Sequence, residues 1–225
     1  MKRFALAIVC SLIATALAAR ADYILVQKME SPMQNGDITI KMKGSTMRMD
    51  TETASMIMDL DSGDMTNIMH AQKMVMKMSG AQTKQMAEAA MAAQPKGEEP
   101  KLVATGKKEV INDLNTEEYT TDLMGTKMSI WVAKDYPGFK QYLAAMEKMD
   151  KSAMSAMAQG RSIKASQYPG MPIRTVMEAG GSKFTTTLVT AKETTFSADE
   201  IQKIPEGYQS MEMPTMPPAA APAAK

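Results

Sequence analysis

MRMDTETASMIMDLDSGDMTNIMHAQKMVMKM, residues 47–78, carries methionine at 47, 49, 56, 58, 65, 69, 74, 76 and 78. Within each short run the spacing is two, as in Met74, Met76 and Met78 with Val75 and Lys77 between them, or its multiple four, as in Met65 and Met69. Side chains of an extended chain alternate between faces, so a period of two sends the methionines of one run to one side. Between the runs stands turn chemistry, TET, DSGD and HAQK. These residue types close tight connections and tolerate positive φ. The stretch is therefore predicted as short antiparallel strands, each with a methionine-bearing face.

Upstream the same period continues through YILVQKM (23–29), DITIKMK (37–43) and STMRMD (45–50), with Asn35-Gly36 and KGS as turn signals. Downstream it changes. GAQTKQMAEAAMAAQ (80–94) is rich in helix formers and is stopped by Pro95, and PKGEEP (95–100) is a charged linker. Strands resume with KLVATGKKEVI (101–111), EEYTTDLM (117–124) and TKMSIWVA (126–133). Phe139, Leu143, Met146, Met149, Ala153 and Met157 follow steps of three or four, which predicts an amphipathic helix over 139–158. MPIRTVMEA (171–179) and KFTTTLVTA (183–191) form a hairpin across Gly180-Gly181, and SADE (197–200) is a capping box opening one short helical turn.

The expected fold class is mainly β (α+β): a curved antiparallel sheet, or incomplete β-barrel, of about eleven strands. A sheet this wide must close on itself or be covered, and the two helical segments are the cover available for its concave face. The expected organisation is a signal peptide over 1–21, a single domain over 22–213 and a disordered Pro/Ala-rich tail over 214–225. The signal peptide rests on Lys2 and Arg3, the apolar run FALAIVCSLIATALA (4–18) and small residues with cleavage sites ending at Ala18 or Ala21. Cys10 lies inside it, so the mature chain is expected to lack disulfides and thiolate metal sites. No later run reaches membrane-spanning length. The location this predicts is periplasmic or secreted.

The whole chain has 26 basic and 25 acidic residues, and removing Lys2, Arg3 and Arg20 leaves 23 against 25. A balanced surface without a basic block argues against nucleic acid as a partner. One histidine and no mature cysteine leave no Cys/His pair and no multi-histidine zinc site, and no G-x-S-x-G elbow is present. Asp59, Asp61 and Asp64 in DLDSGD lack the EF-hand spacing and read as an acidic hairpin turn. The expectation is no enzyme and no cofactor.

Three readings of the methionine rows stay open. The first is a core built from methionine, because stripes at strand spacing usually mean burial. The second is a pliable cavity in which unbranched, polarisable side chains re-pack around an apolar ligand. Its candidate lining is Met47, Met49, Met56, Met58, Met74, Met76 and Met78 from the strands, with Met146 and Met149 from the second helix. The third is a Cu(I) or Ag(I) site of thioethers, drawing on Met74, Met76, Met78 and Met69 with His70 as the sole imidazole. Otherwise His70 would be an exposed turn residue.

The patterns MRMD and MIMDLDSGDM, the stretch SIWVAKD (129–135) and the closing GMPIRTVMEAGGSKFTTTLVTAKETTFSADEIQKIPEGYQSM, with Pro205, Gly207 and Tyr208, resemble the bacterial domain of unknown function 4412 over most of 22–213. That family looks like a distant relative of the periplasmic lipoprotein carriers and receptors of the Lol pathway. The resemblance implies an eleven-strand incomplete barrel with a helical lid over an apolar cavity, and so favours the cavity reading. It supplies no function by itself. In the Lol carriers an early-strand arginine helps hold the lid shut. Arg48 is nearest in chain order, but inward Met47 and Met49 turn it outward, and the role is not carried over. The tail and the methionine bias depart from those carriers. The resulting expectation is a binding protein for a lipid, acyl chain or other apolar ligand. The alternatives are a Cu(I)/Ag(I) binder, or a structural envelope protein with an envelope protein partner.

Overall fold

A computed structural model describes residues 22–32, 35–92, 100–123, 125–152, 155 and 162–212. The N-terminal segment 1–21, the tail 214–225 and most of 151–161, over which the sequence predicts that the second helix continues, lie outside the described residues. Alternating residues between turn signals produce strands β1 (Asp22–Glu30), β2 (Asn35–Lys43), β3 (Thr46–Asp50), β4 (Ala54–Asp59), β5 (Met65–Met69) and β6 (Met74–Met78). Helix α1 (Gly80–Ala92) follows, then β7 (Val103–Ile111), β8 (Leu114–Leu123), β9 (Thr126–Ala133) and helix α2 (Phe139–Asp150). A 3-10 turn (Ala165–Gln167) precedes β10 (Met171–Ala179), β11 (Ser182–Thr194), the short helix α3 (Ala198–Gln202) and β12 (Gln209–Glu212).

All twelve strands belong to one open sheet in the order β12-β6-β5-β4-β3-β2-β1-β11-β10-β9-β8-β7. Two meanders, β1–β6 and β7–β11, are joined where β1 pairs antiparallel with β11. The turns set the register. Gly44, at φ 59, sits in the two-residue connection that pairs Lys43 with Thr46, and Gly180 and Gly181, at φ 57 and 78, pair Ala179 with Ser182. The sheet has one more strand than the sequence predicts. β12 is short and pairs parallel with β6, so no local turn signal announces it.

Pairing sorts the β1–β6 wing into two faces. On one, Met47 and Met49 of β3 stand with Met56 and Met58 of β4, and α2 lies over it. Tyr142 and Ala145 of the helix share a core with Tyr23, Leu25, Met42, Met47, Met58 and Leu60. On the other face Ile57, Ile68 and Val75 pack with Tyr208. The chain between β11 and β12 crosses that face. Ser197 caps α3 by accepting from Glu200 N at 3.1 Å, while Glu200 accepts from Ser197 N at 2.7 Å. Ile201 is then fully buried, which contributes about 1.5–3 kcal/mol.

The two open edges differ. β7 is exposed along Val103–Val110, but Lys107, Lys108 and Glu109 and a register shift after Ala104 make it a poor template for another strand. At the opposite edge, among the described residues, stands the four-residue strand β12.

Candidate functional site

Register turns separate methionine runs into rows. Met42 of β2 lies opposite Met47, Met47 opposite Met58, Met58 opposite Met65, and Met65 opposite Met78. Five adjacent strands thus present one unbroken line of thioethers, about 19 Å long at the usual strand separation. Next to it run Ile40, Met49, Met56, Asn67 and Met76, extended by Met211 of β12. A shorter third row pairs Ala54 with Met69 and Met69 with Met74. Asn67 donates its side-chain amide to the Met65 sulfur at 3.3 Å.

Burial falls along these rows. Met42, Met47 and Met58 are 5%, 2% and 1% exposed, in the same buried cluster as Tyr142 and Ala145 of α2. Met65 and Met78 at the far end of the line are half-buried, as are Met49, Met56, Met69, Met74 and Met76. Met146 and Met149 of α2 pack against the buried end. The nine candidates from the sequence therefore divide into a sealed part, Met47 and Met58, and a partly open wall. Met42 and Met65 complete the line. Periodicity alone could not place them there, because it gives the face of a residue and not its partner across the strand.

His70 does not join the thioethers. It lies beyond Ile68 on the crossed face, whereas Met69 and Met74 point the other way. Both its ring nitrogens are engaged, Nε2 with Ser55 Oγ and Nδ1 with Tyr208 hydroxyl, each at 3.0 Å. It is a half-buried tie between the sheet and the crossing segment, not an exposed turn residue.

Arg48 shares that face. It points away from the methionines, as alternation requires, but it is buried under the crossing segment rather than open to water. Its Nε donates to both Asp50 carboxylate oxygens at 2.8 and 3.0 Å. Its Nη1 donates to the carbonyls of Ile201 and Lys203 at 3.3 and 2.6 Å. Carbonyls at a helix end have no partner within the helix, which is why a guanidinium suits this place.

Asp59 uses Oδ1 to accept from the backbone of Asp61 and Ser62, and Asp64 accepts from Gly80 N at 2.7 Å. The backbone hydrogen bond from Gly80, then one from the Ser62 side chain, hold the Asp64 carboxyl below its ordinary range. These carboxylates shape the turn and anchor the start of α1. Among the described residues no group of three or more His, Cys, Asp or Glu side chains is placed to hold a metal ion.

An open groove of about 500 Å³ lies along the flank of α2, between the helix and the ends of β1, β2 and β11. Tyr23, Met42, Lys140, Lys148, Lys151 and Glu193 are among its walls. Lys148 crosses it to donate to the Gly44 carbonyl at 2.6 Å. Met42 is thus shared between this polar groove and the methionine line.

Residues 19–208 match the family model described as domain of unknown function (DUF4412). No curated protein matches the sequence. Among solved structures, the chain is similar to an uncharacterized conserved protein from Thermus thermophilus, at 8% identity and a TM-score of 0.50, over 86% of this chain and 91% of that one. It also overlaps the lipoprotein LppX of Mycobacterium tuberculosis, at 10% identity and a TM-score of 0.39, covering 78% and 89% of the two chains. A putative outer membrane lipoprotein-sorting protein domain from Vibrio parahaemolyticus overlaps at 9% identity and a TM-score of 0.31, covering 82% and 90%. The fold likeness rests on the first of these.

Proposed function

The chain belongs to the DUF4412 family, and from that premise and the geometry above we propose that it is a non-enzymatic periplasmic or secreted protein that holds a lipid, acyl chain or other apolar group non-covalently on its methionine wall. The observation that carries this reading is the row Met42–Met47–Met58–Met65–Met78, sealed at one end by α2 and half-open at the other. Met49, Met69, Met74, Met76 and Met78 are half-buried outside the buried clusters, while Met56 and Met65 pack against the core's edge. A contiguous, partly open apolar strip on a rigid sheet is a surface that a ligand can complete. Unbranched side chains allow that strip to re-pack around guests of different shape. The location follows from the basic head, apolar run and small-residue cleavage sites of residues 1–21.

The test is binding of an environment-sensitive acyl probe to the mature chain. Met76→Asp places a charge in the half-open strip and should weaken binding by about tenfold or more. A triple change of Met74, Met76 and Met78 to leucine should leave it nearly unchanged, since volume and polarity are kept. Failure of the wild-type chain to bind the probe overturns the reading.

A soft monovalent metal ion is the second reading, favoured by the opposed pairs Met69–Met74 and Met65–Met78. Competitive Cu(I) titration of the same leucine variant separates the two. Lost metal affinity with retained acyl binding would establish a separate thioether site, and unchanged metal affinity would remove this reading.

A further inference from the structure

The groove beside α2 combines features that an apolar wall does not need. Tyr23 stands next to Met42 in the same cross-strand row, and Met42 begins the methionine line. Tyr23 is 4% exposed, and its hydroxyl is buried with no hydrogen-bond partner among the described residues. An unpaired buried hydroxyl costs about 1–3 kcal/mol, so its retention beside a groove points to a partner that arrives with a ligand. Burial first, then the neighbouring Tyr136 and Glu193, push its proton loss well above the ordinary phenol range, which keeps it a donor. Lys140, Lys148 and Lys151 bring three ammonium groups to the same walls, against the carboxylates of Glu147 and Glu193. The excess is one positive charge.

We propose that this groove takes the singly anionic headgroup of an amphiphile, a carboxylate or a phosphate diester, whose hydrocarbon part packs against Met42, the first residue of the methionine line. This inference rests on the apolar-ligand reading and names the class of ligand. Tyr23 donates to the headgroup oxygen, while Lys140 and Lys151 neutralise it at the mouth of the groove. Lys148, held against the Gly44 carbonyl, ties helix to hairpin and shapes the wall. Glu147 and Glu193 lower the affinity for more highly charged headgroups.

Affinities of the mature chain are measured for a long-chain fatty acid, a lysophosphatidylglycerol (a singly charged phosphate diester) and the neutral alcohol of equal chain length. The acids are expected to bind at least about tenfold more tightly than the alcohol, as a charge-assisted hydrogen bond implies. Comparing the two acids shows whether a carboxylate or a phosphate is preferred. Tyr23→Phe keeps the ring and should reduce acid binding about tenfold without affecting the alcohol. The double change Lys140→Gln, Lys151→Gln should abolish the salt dependence of acid binding. Equal binding of acid and alcohol, both insensitive to Tyr23→Phe, would overturn the headgroup assignment while leaving the apolar wall intact. Binding of none of the three would overturn both.

Discussion

Arg48 joins three elements: its own strand through Asp50, β4 through Ser55 Oγ at 3.5 Å, and the end of α3 through the carbonyls of Ile201 and Lys203. Removing one side of such a pair leaves a carboxylate and two carbonyls in partly dry surroundings. Arg48→Ala is expected to cost about 3 kcal/mol, read as a lower denaturation midpoint. Arg48→Lys should recover only part, because an ammonium cannot bridge Asp50 and the helix end in one plane. Alternation of Met47 and Met49 already gives the direction of Arg48. Its carbonyl partners Ile201 and Lys203 are hidden from the sequence, since they lie more than 150 positions away in the chain. Asp64 yields a pH prediction. Its carboxyl is held low in the folded chain, so the unfolded chain binds more protons. The stability it contributes is present above the ordinary carboxylate range and is lost as pH falls through the depressed folded value. In acid titrations followed by circular dichroism, Asp64→Asn should be less stable at neutral pH and should lose less on acidification than wild type.

At the scale of elements, the hairpins are legible in the sequence and the long returns are not. The KGS connection is short enough to force Lys43 against Thr46, and hence Met42 against Met47. Steps of three and four among Phe139, Leu143, Met146 and Met149 give α2, which runs to Asp150. β12 leaves no signal because QSME has little strand character of its own and is ordered by pairing with β6. The groove leaves none either, because Tyr23, Met42 and Lys140 share no local pattern and meet only when α2 docks. Two glycines are fixed by packing at this scale, Gly170 against the Ala133 backbone and Gly80 against Ser62. A Cβ on Gly80 would lie 1.8 Å from the Ser62 carbonyl oxygen, so α1 can begin there only without a side chain. Gly80→Ala should destabilise the chain by about 1–3 kcal/mol and loosen the Asp59–Asp64 turn, measurable as faster amide exchange at residues 61–64.

At the scale of the whole molecule, one wing of the sheet carries a different task on each face. The crossed face is closed by the chain's own segment between β11 and β12, through Ile201, Arg48 and the pair His70–Tyr208. Among the described residues, α2 shares the buried core at one end of the methionine face, and the methionines toward β6 are half-buried. Met58→Ala, at the sealed end, should cost about 2–5 kcal/mol, whereas Met76→Ala, in the open strip, should cost much less. Denaturant titrations of the two variants would show this asymmetry, and equal losses would mean that the wall is an ordinary core. Whether the methionine wall holds a guest is read by native mass spectrometry of the mature chain, as purified and again after delipidation and refilling with a long-chain fatty acid. The expected result is a bound apolar mass that leaves on denaturation and returns on refilling. A bare chain in both states, under conditions that preserve the fold, would contradict it.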